Sequence, residues 1–188
     1  MIKNKQVVVS ETAYGEDKSS RNYWQNHRNK LDDLYPSERY FLYPTLKSAK
    51  SVLDVGCAAG GPFDFCREAK SNIDYTGIDI SKKLINIANE LHPQGNFFVY
   101  DGHEITFKEI KFDLVLSIGV LHHLHHWRGM IKQMVKCSSS STIFDIRLTN
   151  EETLDNAKKY YQYVTFDDKQ KSKTCSTKWS RWSHGVGS

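Results

Sequence analysis

The stretch SVLDVGCAAGG, Ser51 to Gly61, runs from an apolar segment closing on an acid straight into glycines, alanines and one cysteine. Its first half reads as a buried strand and its second as a strand-to-helix turn with the main chain laid bare. Gly56 and Gly60 permit a ligand to approach the backbone closely, and the free amides at the start of the next helix favour a negative or polar group there. In doubly wound sheets ligands settle outside the carboxyl ends of the strands, and the first such turn is the usual cradle. A glycine turn alone leaves the ligand open, because NAD and FAD folds use one too.

Downstream of this turn, short apolar runs alternate with segments of helical period. SVLDV, DYTGIDI, NFFVY, FDLVLSI and STIFDI are rich in Val, Ile, Phe and Tyr, as buried strands are. Residues 62–70, 81–91 and 127–136 between them read as helices. In the second, Ser81 can cap the N-terminus, and Leu84, Ile85, Ala88 and Leu91 fall on one face. Thr149 with Glu152 makes a capping-box pattern that opens a further helix towards Tyr160. This order predicts an α/β fold, a Rossmann-like doubly wound and mostly parallel sheet with helices on both faces.

The totals agree with one such unit. A chain of 188 residues is enough for one sizeable core, so residues 1–188 read as a single domain. Within it, 1–50 form an N-terminal helical cap, 51–166 the cofactor-binding core, and 167–188 a polar, loosely ordered tail. The cap has no strong strand beyond Val7 to Val9 but carries Tyr14, Tyr23, Trp24, His27, Arg28, Tyr35, Arg39 and Tyr40, residues for core packing or for substrate contact. Hydrophobic content of 39% and charged content of 26% are ordinary for a soluble protein, and no window approaches the ~18 apolar residues of a membrane span. The opening MIKNKQVVVSE has too little apolar length for a secretory signal. Cys57, Cys66, Cys137 and Cys175 include no CxxC pair, which suits free thiols in a reducing cytoplasm. A net charge of +4, with Lys169, Lys171, Lys173 and Lys178 gathered near the end, favours an anionic substrate without demanding nucleic acid.

Three acids narrow the ligand. Asp54 precedes the turn, where a carboxylate can organise loop amides or approach a ligand's ammonium, and where it would be poorly placed beside a pyrophosphate. Asp79 ends the second strand, 23 residues after Gly56, and can accept both hydroxyls of a ribose. Asp101 ends the third strand and can take the exocyclic amino group of an adenine. Each alone is equally an ordinary strand-end cap.

Taken together, DVGCAAGG (54–61), GIDIS (77–81), VYDG (99–102) and FDLVLSIGVLHHL (112–124) resemble the class I S-adenosylmethionine-dependent methyltransferases, and the resemblance covers most of Ser51 to Ile146. It implies that Gly56, Cys57, Ala58 and Gly60 line the methionine part of S-adenosylmethionine, with Asp54 supporting the turn. Asp79 would hold the ribose, Ile80 would pack on the adenine, Asp101 and Gly102 would meet the adenine edge, and Ser117 to Gly119 would pass beneath the sulfonium. S-adenosylhomocysteine would be the product. Ala58 stands where the commoner DxGxGxG pattern has its middle glycine. The family's sheet also usually ends in an antiparallel hairpin, of which only YYQYVTF is recognisable here, so the C-terminal hairpin reads as shortened or incomplete, leaving an edge strand exposed unless the tail covers it.

Methyl transfer from a sulfonium is an in-line displacement in which the protein mainly aligns donor and acceptor, and a base is needed only if the acceptor must lose a proton. His122 and His123, in the run HHLHHW after the fourth strand, are the candidate bases; structural or solvated loop histidines are the alternative. A metal held by His122 or His123 with His126 is not expected, since no Cys or carboxylate ligand is adjacent. Trp179, Trp182 and His184 in KWSRWSHG have too few basic neighbours to suggest a single-strand nucleic-acid platform.

The resulting expectation is a cytoplasmic methyltransferase acting on a small-molecule acceptor, oxygen slightly before nitrogen, with no metal, nucleic-acid or membrane partner. A nicotinamide-dependent reductase is the competing enzyme class, opposed by the missing GxGxxG spacing and catalytic Tyr and Lys pair. A methyltransferase-like protein that binds cofactor or a partner without turnover is the non-catalytic alternative.

Overall fold

The computed structural model of the chain describes residues 22–23, 25–26, 28–107, 109–124 and 126–146, together with the backbone of 160–166 and 173–179. The expected helix after Thr149, the valines at 7–9, and Tyr14, Trp24, His27, Trp182 and His184 lie outside the described residues.

Five strands, β1 (Ser51–Val55), β2 (Asp74–Asp79), β3 (Asn96–Val99), β4 (Phe112–Ser117) and β5 (Ser138–Phe144), form one sheet in the order β3-β2-β1-β4-β5. Every pairing in it is parallel. The order reverses between β1 and β4, which places the end of β1 at the topological switch point.

Alternation along the strands divides the core in two. Val52, Tyr75, Leu114 and Leu116 face one layer, with Leu42 and Leu46 of α1 (Pro36–Ser48) and Phe65 and Cys66 of α2 (Gly61–Ala69). Leu53, Val55 and Val115 face the other, against Met130 and Met134 of α4 (Trp127–Cys137). Both faces of β1 and β4 are thus covered, which is why they read as continuous apolar runs.

Local signals set the helix ends. The Ser81 hydroxyl accepts the Leu84 N–H at 3.3 Å and caps α3 (Lys82–Leu91), which buries Leu84, Ile85 and Ala88. Leu91, expected on that face, is exposed in the last turn. In the cap segment, Pro36 opens α1 and the Glu38 carboxylate accepts the Tyr35 N–H at 2.9 Å. Leu31, Leu34, Leu42, Leu46 and Ala49 join the first core layer, whereas Tyr35 and Tyr40 are exposed. Packing in this segment therefore falls to its leucines rather than to those two tyrosines.

The fifth strand begins at Ser138, three residues before the expected run. Its serines extend the ladder, and the Ser139 hydroxyl donates to the Phe112 carbonyl at 3.1 Å. Serine at a sheet edge loses little by facing water, so the apolar run marked only the inner half of the strand. Among the described residues β5 is the last strand of the main sheet. An antiparallel pair, β6 (Tyr160–Phe166) and β7 (Lys173–Trp179), forms a two-stranded sheet of its own. β7 lies in the stretch expected to be loose tail. Its threonines, cysteine and tryptophan suit a strand, but the interspersed lysines and serine disguised it.

Leu46 has no exposed surface and joins α1 to the core. Leu46→Ala is expected to lower the unfolding free energy by about 2–5 kcal/mol, measured by urea denaturation; a loss below about 1 kcal/mol would mean that the cap segment is not integral to the core.

Candidate functional site

The site is assembled at the carboxyl ends of β1, β2 and β4. After Val55 the chain turns at Gly56, whose N–H and that of Cys57 both donate to the Ile78 carbonyl, at 2.7 and 3.1 Å, so the turn is laid across the end of β2. Gly56 has φ +91°, and a β-carbon there would overlap the Val120 side chain. Gly60 has φ +88°, and a β-carbon there would fall 2.6 Å from the His92 ring. Both glycines answer to a left-handed backbone and to a close neighbour at once.

Ala58 also lies in the left-handed region, with φ +49°. An alanine there is strained by roughly 1–2 kcal/mol. Its N–H donates to Asp79 Oδ2 at 3.0 Å, and the Ser81 N–H donates to Asp79 Oδ1 at 2.8 Å. One carboxylate thereby holds the glycine turn from one side and the start of α3 from the other. Burial pushes the Asp79 pKa up, against the lowering effect of the N–H groups of Ser81, Ala58 and Ile80.

Asp54 is fully buried and turned to the Tyr75 hydroxyl, which donates to its Oδ2 at 2.5 Å. Burial raises its pKa to about 7; the Tyr75 hydrogen bond opposes that rise and the nearby Asp79 charge adds to it. Its position on β1, on the same face as Val52, explains the partner: Val52 pairs with Tyr75 in the β1–β2 register. Asp54 thus ties β1 to β2 within the core. Cys57 is buried as well, and a β-carbon at Gly77 would fall 2.7 Å from its sulfur. Its thiol packs inward, leaving only its backbone to line a ligand.

Asp101 is exposed, and its Oδ1 accepts the N–H groups of His103 and Glu104 at 2.8 and 2.9 Å. Those two N–H groups, Glu104 first, hold its pKa below the usual carboxylate range. It fixes the bend after β3, in which Gly102 has φ +79° and a β-carbon would meet Ile80 at 3.1 Å. Ile80 and Gly102, expected together, are neighbours. Asp54, Asp79 and Asp101 do not present three free carboxylates to one point: each already accepts a hydrogen bond within the fold, and Asp79 occupies the middle place.

The Ser117 hydroxyl is buried and donates to the Val55 carbonyl at 2.8 Å, bracing β4 against β1. Gly119 has φ +76°, and a β-carbon there would meet nothing within 4 Å, so the chain after β4 borders open space. The Gly119 N–H donates to Asp145 Oδ1 at 2.5 Å. Asp145 was not anticipated, although it directly follows the fifth strand, near a strand end as Asp54, Asp79 and Asp101 are for the first three. His122 is buried in the turn Leu121–His123 with its ring 4.0 Å from that of His123, which is half-buried. His126 lies with Gly102 instead, its Nε2 2.9 Å from the Gly102 carbonyl. Among the described residues no group of three or more His, Cys, Asp or Glu could hold a metal ion, and no helix is long and apolar enough to cross a membrane.

A glycine turn at the switch point, latched by the acid ending β2, can be compared with known proteins. Residues 23–181 match the family model described as a methyltransferase domain. The chain belongs to this methyltransferase-domain family. Over 107 residues it is 28% identical to the phthiotriol/phenolphthiotriol dimycocerosates methyltransferase of Mycobacterium tuberculosis, covering 54% of this chain and 40% of that protein. Over 100 residues it is 35% identical to ajmaline N-methyltransferase of Rauvolfia serpentina, covering 50% and 34%. A probable (S)-tetrahydroprotoberberine N-methyltransferase of Papaver bracteatum matches over 165 residues at 28% identity, covering 84% and 45%. The chain spans less than half the length of each of these relatives. Among solved structures, the plantazolicin methyltransferase BpumL in complex with SAH superposes with a TM-score of 0.56 at 21% identity, over 71% of this chain and 55% of that one. That likeness establishes the methyltransferase-family fold.

Two outcomes follow from the site's electrostatics and strain. A buried carboxyl whose folded pKa is raised contributes stability that is fully present below its unfolded pKa, near 3.8, and lost as pH rises through about 7. The stability of Asp54→Asn relative to wild type is therefore expected to rise between pH 4 and pH 8 in denaturant titrations; parallel profiles would show that Asp54 is not desolvated. Ala58→Gly is expected to stabilise the ligand-free protein by about 1 kcal/mol, because the strained side chain is removed; a fall in melting temperature would contradict that assignment.

Proposed function

We propose that the chain binds S-adenosylmethionine and transfers its methyl group to a small-molecule acceptor. The observation that carries this reading is the Asp79 carboxylate, buried at the end of β2 and bound to the Ala58 N–H of the glycine turn. A carboxylate has about four acceptor positions, so the N–H groups of Ala58, Ser81 and Ile80 still leave it capacity for a ribose hydroxyl. Ile80 and Gly102 offer an apolar, close-packed place for a flat base, with Asp101 at its edge. The backbone from Gly56 to Gly60 fits a polar amino-acid tail. When bound, the cofactor supplies a methyl group already activated by a positive sulfur.

The chain's own contribution is then alignment and exclusion of water, for which positioning supplies on the order of 7–11 kcal/mol. The open space at Gly119 supports an acceptor beside the end of β4. Of the two histidines, His123 is the less buried and suits proton exchange with an acceptor, while His122 suits orienting its neighbour's ring. Two relatives are named N-methyltransferases, so nitrogen stands beside oxygen as the receiving atom. Cys57, Cys66 and Cys137 are buried and free, which suits a reducing cytoplasm.

Melting curves with S-adenosylmethionine, S-adenosylhomocysteine, NADH and NADPH test the cofactor. A rise with the first two alone is expected, since a ligand at ~100 times its dissociation constant adds about 2.7 kcal/mol; a rise with a nicotinamide nucleotide alone would replace the methyltransferase with a reductase. Asp79→Ala is expected to weaken S-adenosylhomocysteine by about 1.5–3 kcal/mol through lost charge-assisted hydrogen bonds, and unchanged affinity in calorimetry would remove Asp79 from the site.

A further inference from the structure

The histidine run after β4 does more than offer a base. His126 lies just ahead of α4, and its Nε2 is 2.9 Å from the Gly102 carbonyl. A carbonyl can only accept, so this nitrogen carries the proton and donates. The His126 ring stacks on that of His103, with centroids 5.1 Å apart and planes 28° apart. Two turns along α4, the Gln133 amide donates from Nε2 to the His103 carbonyl at 2.7 Å and accepts the Ile105 N–H at its Oε1 at 2.8 Å. From the other side, Asp101 Oδ1 gathers the N–H groups of His103 and Glu104.

The loop 101–105 is therefore held by three side chains, one from within α4 and one from the residue that precedes it. Its backbone is otherwise unpromising. Gly102 is left-handed, its neighbours belong to neither strand nor helix, and the loop follows an edge strand. Without the side chains of His126 and Gln133, the carbonyls of Gly102 and His103 and the N–H of Ile105 would lose these protein partners.

We propose that His126 and Gln133 are positioning residues for the adenine end of the cofactor: they clamp the Gly102–Ile105 backbone so that Gly102 stays against Ile80 and Asp101 stays at the rim. This rests on the S-adenosylmethionine reading of the same site and adds two residues to it. It also makes α4, whose other face packs Met130 and Met134 into the core, the element that joins the adenine loop to the turn carrying His122 and His123.

Four proteins separate this role from general support: wild type, His126→Gln, His126→Phe and Gln133→Glu. Glutamine restores a donor at position 126. Phenylalanine keeps the ring on His103 but cannot donate, and glutamate at 133 can accept from Ile105 but, when ionised, cannot donate to His103. Calorimetry with S-adenosylhomocysteine and with 5′-methylthioadenosine, which shares the adenosine but lacks the amino-acid tail, is expected to show roughly 3- to 10-fold weaker binding of both ligands, by the same factor, for His126→Phe and Gln133→Glu. His126→Gln is expected to lie close to wild type. Unchanged affinity in both weakened variants overturns the proposal, as does a loss confined to S-adenosylhomocysteine, which would locate the damage at the glycine turn. If wild type binds neither ligand, the cofactor reading itself fails and takes this role with it. If His126→Phe does not fold, Gln133→Glu decides alone.

Discussion

The Asp79 carboxylate is the point on which the rest of the site depends. It ends β2, and it touches both the turn leaving β1 and the residue that caps α3. Moving a carboxylate out of water is costly, and its pKa is raised accordingly. The N–H groups of Ala58 and Ser81 offset part of that cost because their main chains are aimed at it, and they are so aimed because the turn itself is pinned on the Ile78 carbonyl. Remove the acid and the turn loses an anchor on one side while the helix start loses one on the other.

Around that anchor the fold relies on left-handed backbone, which its glycines adopt freely and Ala58 only at a cost. Four glycines and one alanine, from Gly56 to Gly119, sit at positive φ at or beside strand ends. At three of the glycines a close neighbour also leaves no room for a side chain: Val120 at Gly56, His92 at Gly60 and Ile80 at Gly102. Gly119, with open space where a side chain would stand, is the exception. The acceptor place proposed above lies beside it.

Much of this was legible in the residues. The five strands, the helices of the core and the Ser81 cap follow from hydrophobic period and capping chemistry, because those signals are local. What stayed hidden depends on register or on polar partners far apart in the chain. The Tyr75 hydroxyl meets Asp54 only once β1 and β2 are aligned, 21 residues apart. His126 reaches Gly102 across 24 residues. β7 was missed because its lysines and serine give it the composition of a tail, and the serine half of β5 because an edge strand needs no apolar residues there. Asp145 carried the same strand-end signal as the other acids and could have been read with them.

A crystal structure of the protein with S-adenosylhomocysteine tests the central claim most directly. The account requires both ribose hydroxyls on the Asp79 carboxylate, the base packed on Ile80 with its edge at Asp101 and Gly102, and the sulfur over the chain that follows β4. A ligand bound elsewhere, or one seated at the turn with its ribose away from Asp79, would contradict it.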